Sequence, residues 1–178
     1  MNHILKRFTI GVAVACFLIF GLGVILSIIG IRVNTTPSIP VGIYWASKDP
    51  IEKGSYVMFC PPPVSVFALA KEWGYIASGF CSGGYGYMMK KVVAAKEDIL
   101  TVTPNGILVN GHLLPHSKLY IADENGRSLP RYQVNNYTLD DSELLLMSDI
   151  NDLSFDGRYF GPINRSQIKT VIRPLITW

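Results

Sequence analysis

The sequence predicts a mainly β protein: one transmembrane helix, then an antiparallel β domain with a single short helix set in an excursion. Three observations predict it. Residues 8–31 carry no charge and are dominated by Ile, Val, Leu, Phe, Ala and Gly. The rest of the chain breaks into short apolar or β-branched runs separated by proline, glycine and Asn-Gly, which is the punctuation of strands and turns. Only residues 66–73 show a buried face at helical spacing, through Val66, Phe67, Leu69 and Ala70. A length of 178 residues suits one domain of ordinary size.

The run 8–31 exceeds the roughly 20 residues that a helix needs to cross a hydrocarbon core. Lys6 and Arg7 precede it, so the positive-inside rule puts the N-terminus in the cytoplasm. A cleaved signal peptide would have an apolar stretch of about 7–15 residues and a small-x-small exit. This run is longer and ends in Ile28-Ile29-Gly30-Ile31. Lipoprotein cleavage before Cys16 would follow Ala13-Val14-Ala15, but the apolar run continues well past that cysteine. The expectation is an uncleaved single-pass anchor in a bacterial inner membrane, comprising residues 1–32. Residues 33–178 then form one domain on the periplasmic side. Composition agrees, since 49% of the residues are hydrophobic and only 16% charged, against about a quarter charged in a soluble domain.

Within the domain, residues 33–50 are broken by Pro37, Pro40, Gly42 and Pro50 and read as extended segments and turns. Residues 55–59 form a strand stopped by Pro61-Pro62-Pro63. Residues 61–86 are a Pro- and Gly-rich excursion that contains the helix. Residues 87–94 and 99–102 read as strands, and 107–109 with Asn110-Gly111 as a hairpin, because that dipeptide accepts positive φ. Residues 144–147 and 168–172 complete the strands.

Charge excludes a nucleic-acid partner. The net charge is only +3, and two of the 16 Lys and Arg precede the apolar run, leaving a domain close to neutral against 13 Asp and Glu. Three cysteines without a CxxC pair exclude a zinc ribbon or a disulfide-dense scaffold. Cys60 and Cys81 flank the excursion and could pair in an oxidising compartment, or else be two small buried hydrophobes. The expectation is a bridge, worth about 3 kcal/mol in the chain-entropy model.

Several side chains could carry chemistry. His112 and His116 lie beside the Asn110-Gly111 turn without further ligands, so they read as solvated loop residues rather than a metal pair. Ser38 stands between Pro37-side and Pro40-side rigidity, which ordinary turn chemistry also explains. Lys90-Lys91 interrupts an apolar run, and on a strand the two face opposite sides. One is then driven towards the apolar side, where a lysine loses basicity; edge-strand lysines that guard against aggregation are the plainer alternative. In Ser154-Phe155-Asp156-Gly157-Arg158-Tyr159-Phe160-Gly161-Pro162, Asp156 and Arg158 can pair across a turn that holds Ser154 rigidly.

Taken in order, Pro37-Ser38-Ile39-Pro40, Lys53-Gly54-Ser55-Tyr56-Val57, Lys90-Lys91-Val92-Val93, Asn110-Gly111 and residues 154–162 resemble the bacterial type I signal peptidases. Those are membrane-anchored serine proteases with a Ser–Lys dyad. Ser38-Ile39-Pro40-Val41-Gly42-Ile43-Tyr44, Asp123-x-x-Gly126-Arg127-Ser128-Leu129-Pro130 and the Cys60-to-Cys81 excursion are similar to the conjugal-transfer branch of that superfamily. General signal peptidases usually carry Ser-Met-x-Pro-Thr at the first place. One departure is Glu97-Asp98, where the family usually has Gly-Asp.

The resemblance implies a signal-peptidase-like antiparallel β catalytic domain and no cofactor or metal. By position, it implies Ser38 as nucleophile and Lys90 as general base. Thr36 and the Ser38 N–H would form the oxyanion hole, Ser154 would orient the lysine, and Asp156 with Arg158 would be a structural pair. Lys91 would face away. The implied partners are a membrane-inserted precursor such as a conjugative pilin, the lipid bilayer and components of a conjugation pore. A housekeeping signal peptidase and a catalytically silent scaffold in a secretion pore are the alternatives. Residues 32–37 reach at most about 20 Å, so Ser38 would work near the membrane surface.

Overall fold

A computed structural model describes residues 3–178. Helix α1 (His3–Ile28) contains Leu5–Ile28, a stretch long and apolar enough to cross a membrane, with its side chains outside the protein core. The helix stops earlier than the apolar run suggests. Gly30 has φ +99°, a left-handed conformation that few residues but glycine adopt, and its carbonyl accepts from Ala46 N–H at 2.8 Å. Ile31 therefore leaves the helix and opens strand β1 (Ile31–Asn34), antiparallel to β2 (Gly42–Ser47) with Ile31 opposite Trp45. Helix α1 thus runs into the sheet with almost no linker.

Strand β3 (Tyr56–Phe59) leads into the excursion, where helix α2 (Ser65–Glu72) turns Phe67 and Ala70 inward and strand β4 (Ser78–Cys81) returns. Strand β5 (Met88–Ala94) alternates buried and half-buried positions without a break, Lys90 on the buried side and Lys91 on the other. Strands β6 (Ile99–Thr103), β7 (Gly106–Val109) and β8 (His112–Leu113) follow as hairpins, then β9 (Tyr137–Thr138) and β10 (Glu143–Met147). The Asn110-Gly111 turn has positive φ at both residues, as its chemistry requires. After the one-turn helix α3 (Gly157–Phe160) come β11 (Ile163–Asn164) and the long β12 (Ile168–Thr177).

These strands form a seven-stranded sheet in the order β1-β2-β12-β3-β5-β10-β11 and a four-stranded sheet in the order β8-β7-β6-β9, every pairing antiparallel. The mainly β, antiparallel expectation is met. One core joins the central strands to the excursion through Val57, Phe59, Phe67, Val92, Leu144 and Tyr159. A second lies between β10 and the smaller sheet, and a third beneath the β1–β2 turn comprises Ile39, Tyr44, Met58 and Ile172. The turn at Glu97 keeps its shape without glycine: Glu97 has φ +68°, while Asp98 accepts from Ala95 N–H, Lys53 Nζ and Asn110 Nδ2 at 3.0, 2.8 and 2.6 Å.

The sulfurs of Cys60 and Cys81 lie at bonding distance, with Cα atoms 5.5 Å apart, which ties the end of β3 to the end of β4 across 21 residues. Closing a loop of that size stabilises by about 3 kcal/mol. Replacing both cysteines by alanine is expected to lower unfolding stability by about that amount, measured by denaturant titration. Non-reducing peptide mapping of protein matured outside the cytoplasm should recover the Cys60–Cys81 pair; two freely alkylated thiols would refute the bridge.

Candidate active site

Three elements converge on one cleft of about 370 Å³: the turn between β1 and β2, strand β5, and the loop after β10. The first brings Thr36 and Ser38, the second Lys90, the third Ser154. Its walls are apolar, with Ile76 and Ala77 from the excursion, Met88 from β5 and Phe155 beside Ser154. Ser38 is held from both sides. Ile39, fully buried, plugs the turn into the third core, and Asn34 binds the turn from beneath. The Ser38 hydroxyl donates to the Met89 carbonyl at 3.2 Å and lies 3.0 Å from the Thr36 hydroxyl.

Lys90 is 3% exposed, and its Nζ donates to Ser154 Oγ at 2.7 Å. Among the described residues no carboxylate forms a salt bridge with it. Loss of hydration is the largest influence and pushes its pKa down to about 8; the nearby Asp156 charge raises it and the Arg158 charge lowers it. About a tenth of the Lys90 population is therefore neutral at pH 7 and half at pH 8, and one N–H is committed to Ser154. Lys91 has the opposite surroundings: its Nζ meets Asp149 at 3.0 Å and lies over the Tyr56 ring. Tyr56 also donates to Asp149, at 2.7 Å.

Asp156 and Arg158 form an ion pair whose side chains are both fully buried. Arg158 Nε and Nη2 reach the two carboxylate oxygens at 2.8 and 3.0 Å, and Nη2 also donates to the Ser154 carbonyl at 2.8 Å. Asp156 accepts from its own side of the loop too, from Ser148 N–H at 3.1 Å. A buried pair satisfied in this way costs about 3–5 kcal/mol to break by removing one partner. Here it fixes the loop that offers Ser154 to Lys90.

Thr36, Ser38, Lys90 and Ser154 thus line one cleft, with the Asp156–Arg158 pair behind Ser154, and the two histidines lie on the surface as expected. His112 is exposed on β8, and His116 pairs with Asp152 at 2.9 Å on the surface. Among the described residues no three His, Cys, Asp or Glu side chains group as a metal site. Asp123 and Arg127 lie next door. Burial would raise Asp123, but hydrogen bonds from Tyr75 and from the Arg127 backbone and side chain outweigh it and hold the carboxyl at about 2. Arg127 also lies over the rings of Trp73 and Tyr75, so this cluster ties residues 123–127 to the excursion. Two site residues were not singled out from sequence. Asn34 carried a usable signal, since asparagine two residues ahead of Thr36 is placed to bond the turn backbone. Asp149 carried none, because Lys91 lies 58 positions away.

The family model described as "Signal peptidase, peptidase S26" matches residues 1–176. The chain is 62% identical over 178 residues to a plasmid transfer protein TraF of Escherichia coli, covering all of both chains. It is 32% identical over 151 residues to a conjugal transfer protein TraF of Agrobacterium fabrum, covering 84% of each. A signal peptidase I structure from Enterococcus faecalis is similar at a TM-score of 0.40 and 15% identity, over 71% of this chain and 98% of that one.

The Lys90 environment has a thermodynamic consequence. The unfolded lysine titrates near 10.5 and the folded one near 8. Below pH 8 both states are protonated and the fold carries the full cost of a buried ammonium, about 3 kcal/mol. Between pH 8 and 10.5 the unfolded state binds the extra proton, so stability rises with pH. Lys90→Met is expected to raise unfolding stability by about 3 kcal/mol at pH 7, with the gap narrowing towards pH 10. Denaturant titrations across that range check it; a constant gap would contradict a depressed lysine.

Proposed function

Since the chain belongs to the signal peptidase family, peptidase S26, we propose that it is a membrane-anchored serine endopeptidase with a Ser38–Lys90 dyad that matures a conjugative pilin or similar membrane-inserted precursor. The observation that carries the reading is Lys90: buried, without a salt-bridging carboxylate, depressed to about 8, and lining the same cleft as Ser38. A neutral amine there is a base, and serine needs one. The names of the relatives support the place in conjugation.

Ser38 Oγ attacks the scissile carbonyl carbon while its proton passes to Lys90 Nζ. For this the hydroxyl turns from the Met89 carbonyl towards Lys90, the next residue of β5. Ser154 holds one N–H of the amine, which directs the lone pair into the cleft. The Ser38 N–H and the Thr36 hydroxyl receive the charge that develops on the carbonyl oxygen. The tetrahedral species collapses by breaking the C–N bond, and Lys90 returns its proton to the departing amine. Water then attacks the acyl-enzyme, giving a proton to Lys90; the C–O bond to Ser38 breaks, and Lys90 returns that proton to Ser38 Oγ.

Lys6 and Arg7 set the orientation, with α1 crossing the membrane and the β domain in the periplasm. Only β1 and its turn separate α1 from Ser38, so the cleft lies near the membrane surface. A bond just outside the precursor's own membrane segment is therefore presented at the right height.

The test uses the full chain and a conjugative pilin precursor reconstituted together in phospholipid vesicles. Ser38→Ala and Lys90→Ala should abolish cleavage. Lys90→Arg should be equally inactive, because a guanidinium does not give up its proton, whereas Lys91→Arg should keep most of the activity. Thr36→Ala should lower kcat by roughly 10²–10³. The wild-type rate should rise about tenfold per pH unit below 8 and level off above it, as the neutral lysine becomes the major form. Cleavage by Ser38→Ala, or loss only in Lys91→Arg, would overturn the dyad.

A further inference from the structure

Beneath the nucleophile turn lies a residue for which the dyad has no use. Asn34, the last residue of β1, is only 4% exposed, and its carboxamide faces into the turn. The two protons on its Nδ2 serve three carbonyls, one of them shared: Thr36 at 2.8 Å, Ile39 at 3.0 Å and Pro40 at 3.1 Å. That leaves Oδ1 as the acceptor, and it takes both the Thr36 N–H at 3.3 Å and the Thr36 hydroxyl at 3.1 Å. One buried side chain therefore satisfies both ends of the Thr36–Pro40 segment.

Counting protons gives this arrangement a direction. An amide oxygen cannot donate, so the Thr36 hydroxyl proton points at Asn34 and its lone pairs face Ser38 Oγ, 3.0 Å away. The Ser38 proton then has two acceptors, Thr36 Oγ1 and the Met89 carbonyl, and the Thr36 proton is held back from the cleft. Among the described residues the Ser38 N–H makes no hydrogen bond, so it remains available. When negative charge grows on the substrate oxygen, a charge-assisted bond competes against a neutral one and is about twice as strong. The Thr36 hydroxyl then turns from Asn34 to the oxyanion without the backbone moving, because Nδ2 still holds the three carbonyls.

We infer that Asn34 is the positioning residue of the oxyanion hole: its carboxamide holds the β1–β2 turn so that the Thr36 hydroxyl and the Ser38 N–H converge, and it stores the Thr36 proton until charge develops. This rests on the Ser38–Lys90 reading of the site. Asn34, almost fully buried beneath the turn at the floor of the cleft, acts through Thr36, and its effect belongs in kcat rather than KM. The proton that Lys90 gains and returns is unaffected, so the pH dependence stays that of the wild type.

A double-mutant cycle on the full chain in vesicles, with the same pilin precursor, tests it. Asn34→Ala should lower kcat 30- to 100-fold, leave KM within about twofold and leave the pH midpoint near 8 unchanged. In a Thr36→Ala background the same substitution should cost less than fivefold, because its route to the oxyanion has already been removed. Asn34→Ser, which keeps one donor and one acceptor, should recover part of the rate and carries the test should Asn34→Ala not fold. An equal penalty in both backgrounds, a loss expressed mainly in KM, or full activity of both Asn34 variants would overturn the assignment while Ser38→Ala remains inactive. Cleavage by Ser38→Ala would instead overturn the dyad and the assignment together.

Discussion

The rest of the site depends on a lysine buried without a counter-ion. Neighbouring residues of one strand show how narrowly this is arranged. Lys91 has Asp149 at 3.0 Å, an ion pair in ordinary surroundings. Lys90, turned to the other face of β5, has a hydroxyl at 2.7 Å and apolar walls. A carboxylate is near enough to raise its pKa, but Asp156 is already engaged by Arg158, whose own charge acts in the opposite direction. A lone Asp156 would hold Lys90 charged, and a lone Arg158 would be an unpaired buried cation. Paired, they supply a rigid loop with little net field. The ion pair therefore bears on the Lys90 pKa as well as on the fold.

Ser38, the proposed nucleophile, is held by another means, because in that role it must face solvent and substrate. Ser38 lies on a turn with no regular backbone ladder of its own, and its order comes from the surroundings. Pro37 and Pro40 restrict φ on either side. Ile39 is fixed in the core with Tyr44, Met58 and Ile172, and the Tyr44 hydroxyl donates to the Pro40 carbonyl. Asn34 satisfies the polar groups that the turn would otherwise bury unpaired. Because β1 continues almost directly from α1, this rigidity is also tied to the anchor.

The strand pattern was legible where short apolar or β-branched runs are bounded by turn signals. The strands expected at 87–94 and 144–147 were found as Met88–Ala94 and Glu143–Met147, and the Asn110-Gly111 hairpin also formed, since each is specified by local sequence. Strand β1 was hidden because a membrane helix and a buried strand draw on the same apolar residues, and only the left-handed Gly30 separates them. Strand β12 runs past its expected end through Pro174, where the pairing with β2 shifts register, a place that tolerates a residue without an N–H. The two-residue strands β9 and β11 exist only through their partners. In the site, Ser38 and Lys90 stood out from the residues only as weak candidates, and the order of motifs along the chain raised them. What put Lys90 rather than Lys91 in the cleft is the register of β5, with Val57 opposite Lys90 and Tyr56 opposite Lys91; no local preference encodes it.

The excursion between Ser38 and Lys90 can be understood from the same demand for a dry lysine. A single sheet buries one face of β5 only if something covers it. Residues 61–86 supply that cover: Phe67 and Ala70 of α2 pack into the main core, and Ile76 and Ala77 wall the cleft beside Lys90. A segment so rich in proline and glycine has little regular hydrogen bonding to hold it, so it is secured at its margins. Cys60 and Cys81 close its base, while Tyr75 and Trp73 are gripped by Asp123 and Arg127 from a distant loop. Loosening either margin would admit water to Lys90, restore its hydration and raise its pKa towards that of a free lysine. The covering segment thus acts on Lys90 through solvent exclusion, without contributing a polar group to it.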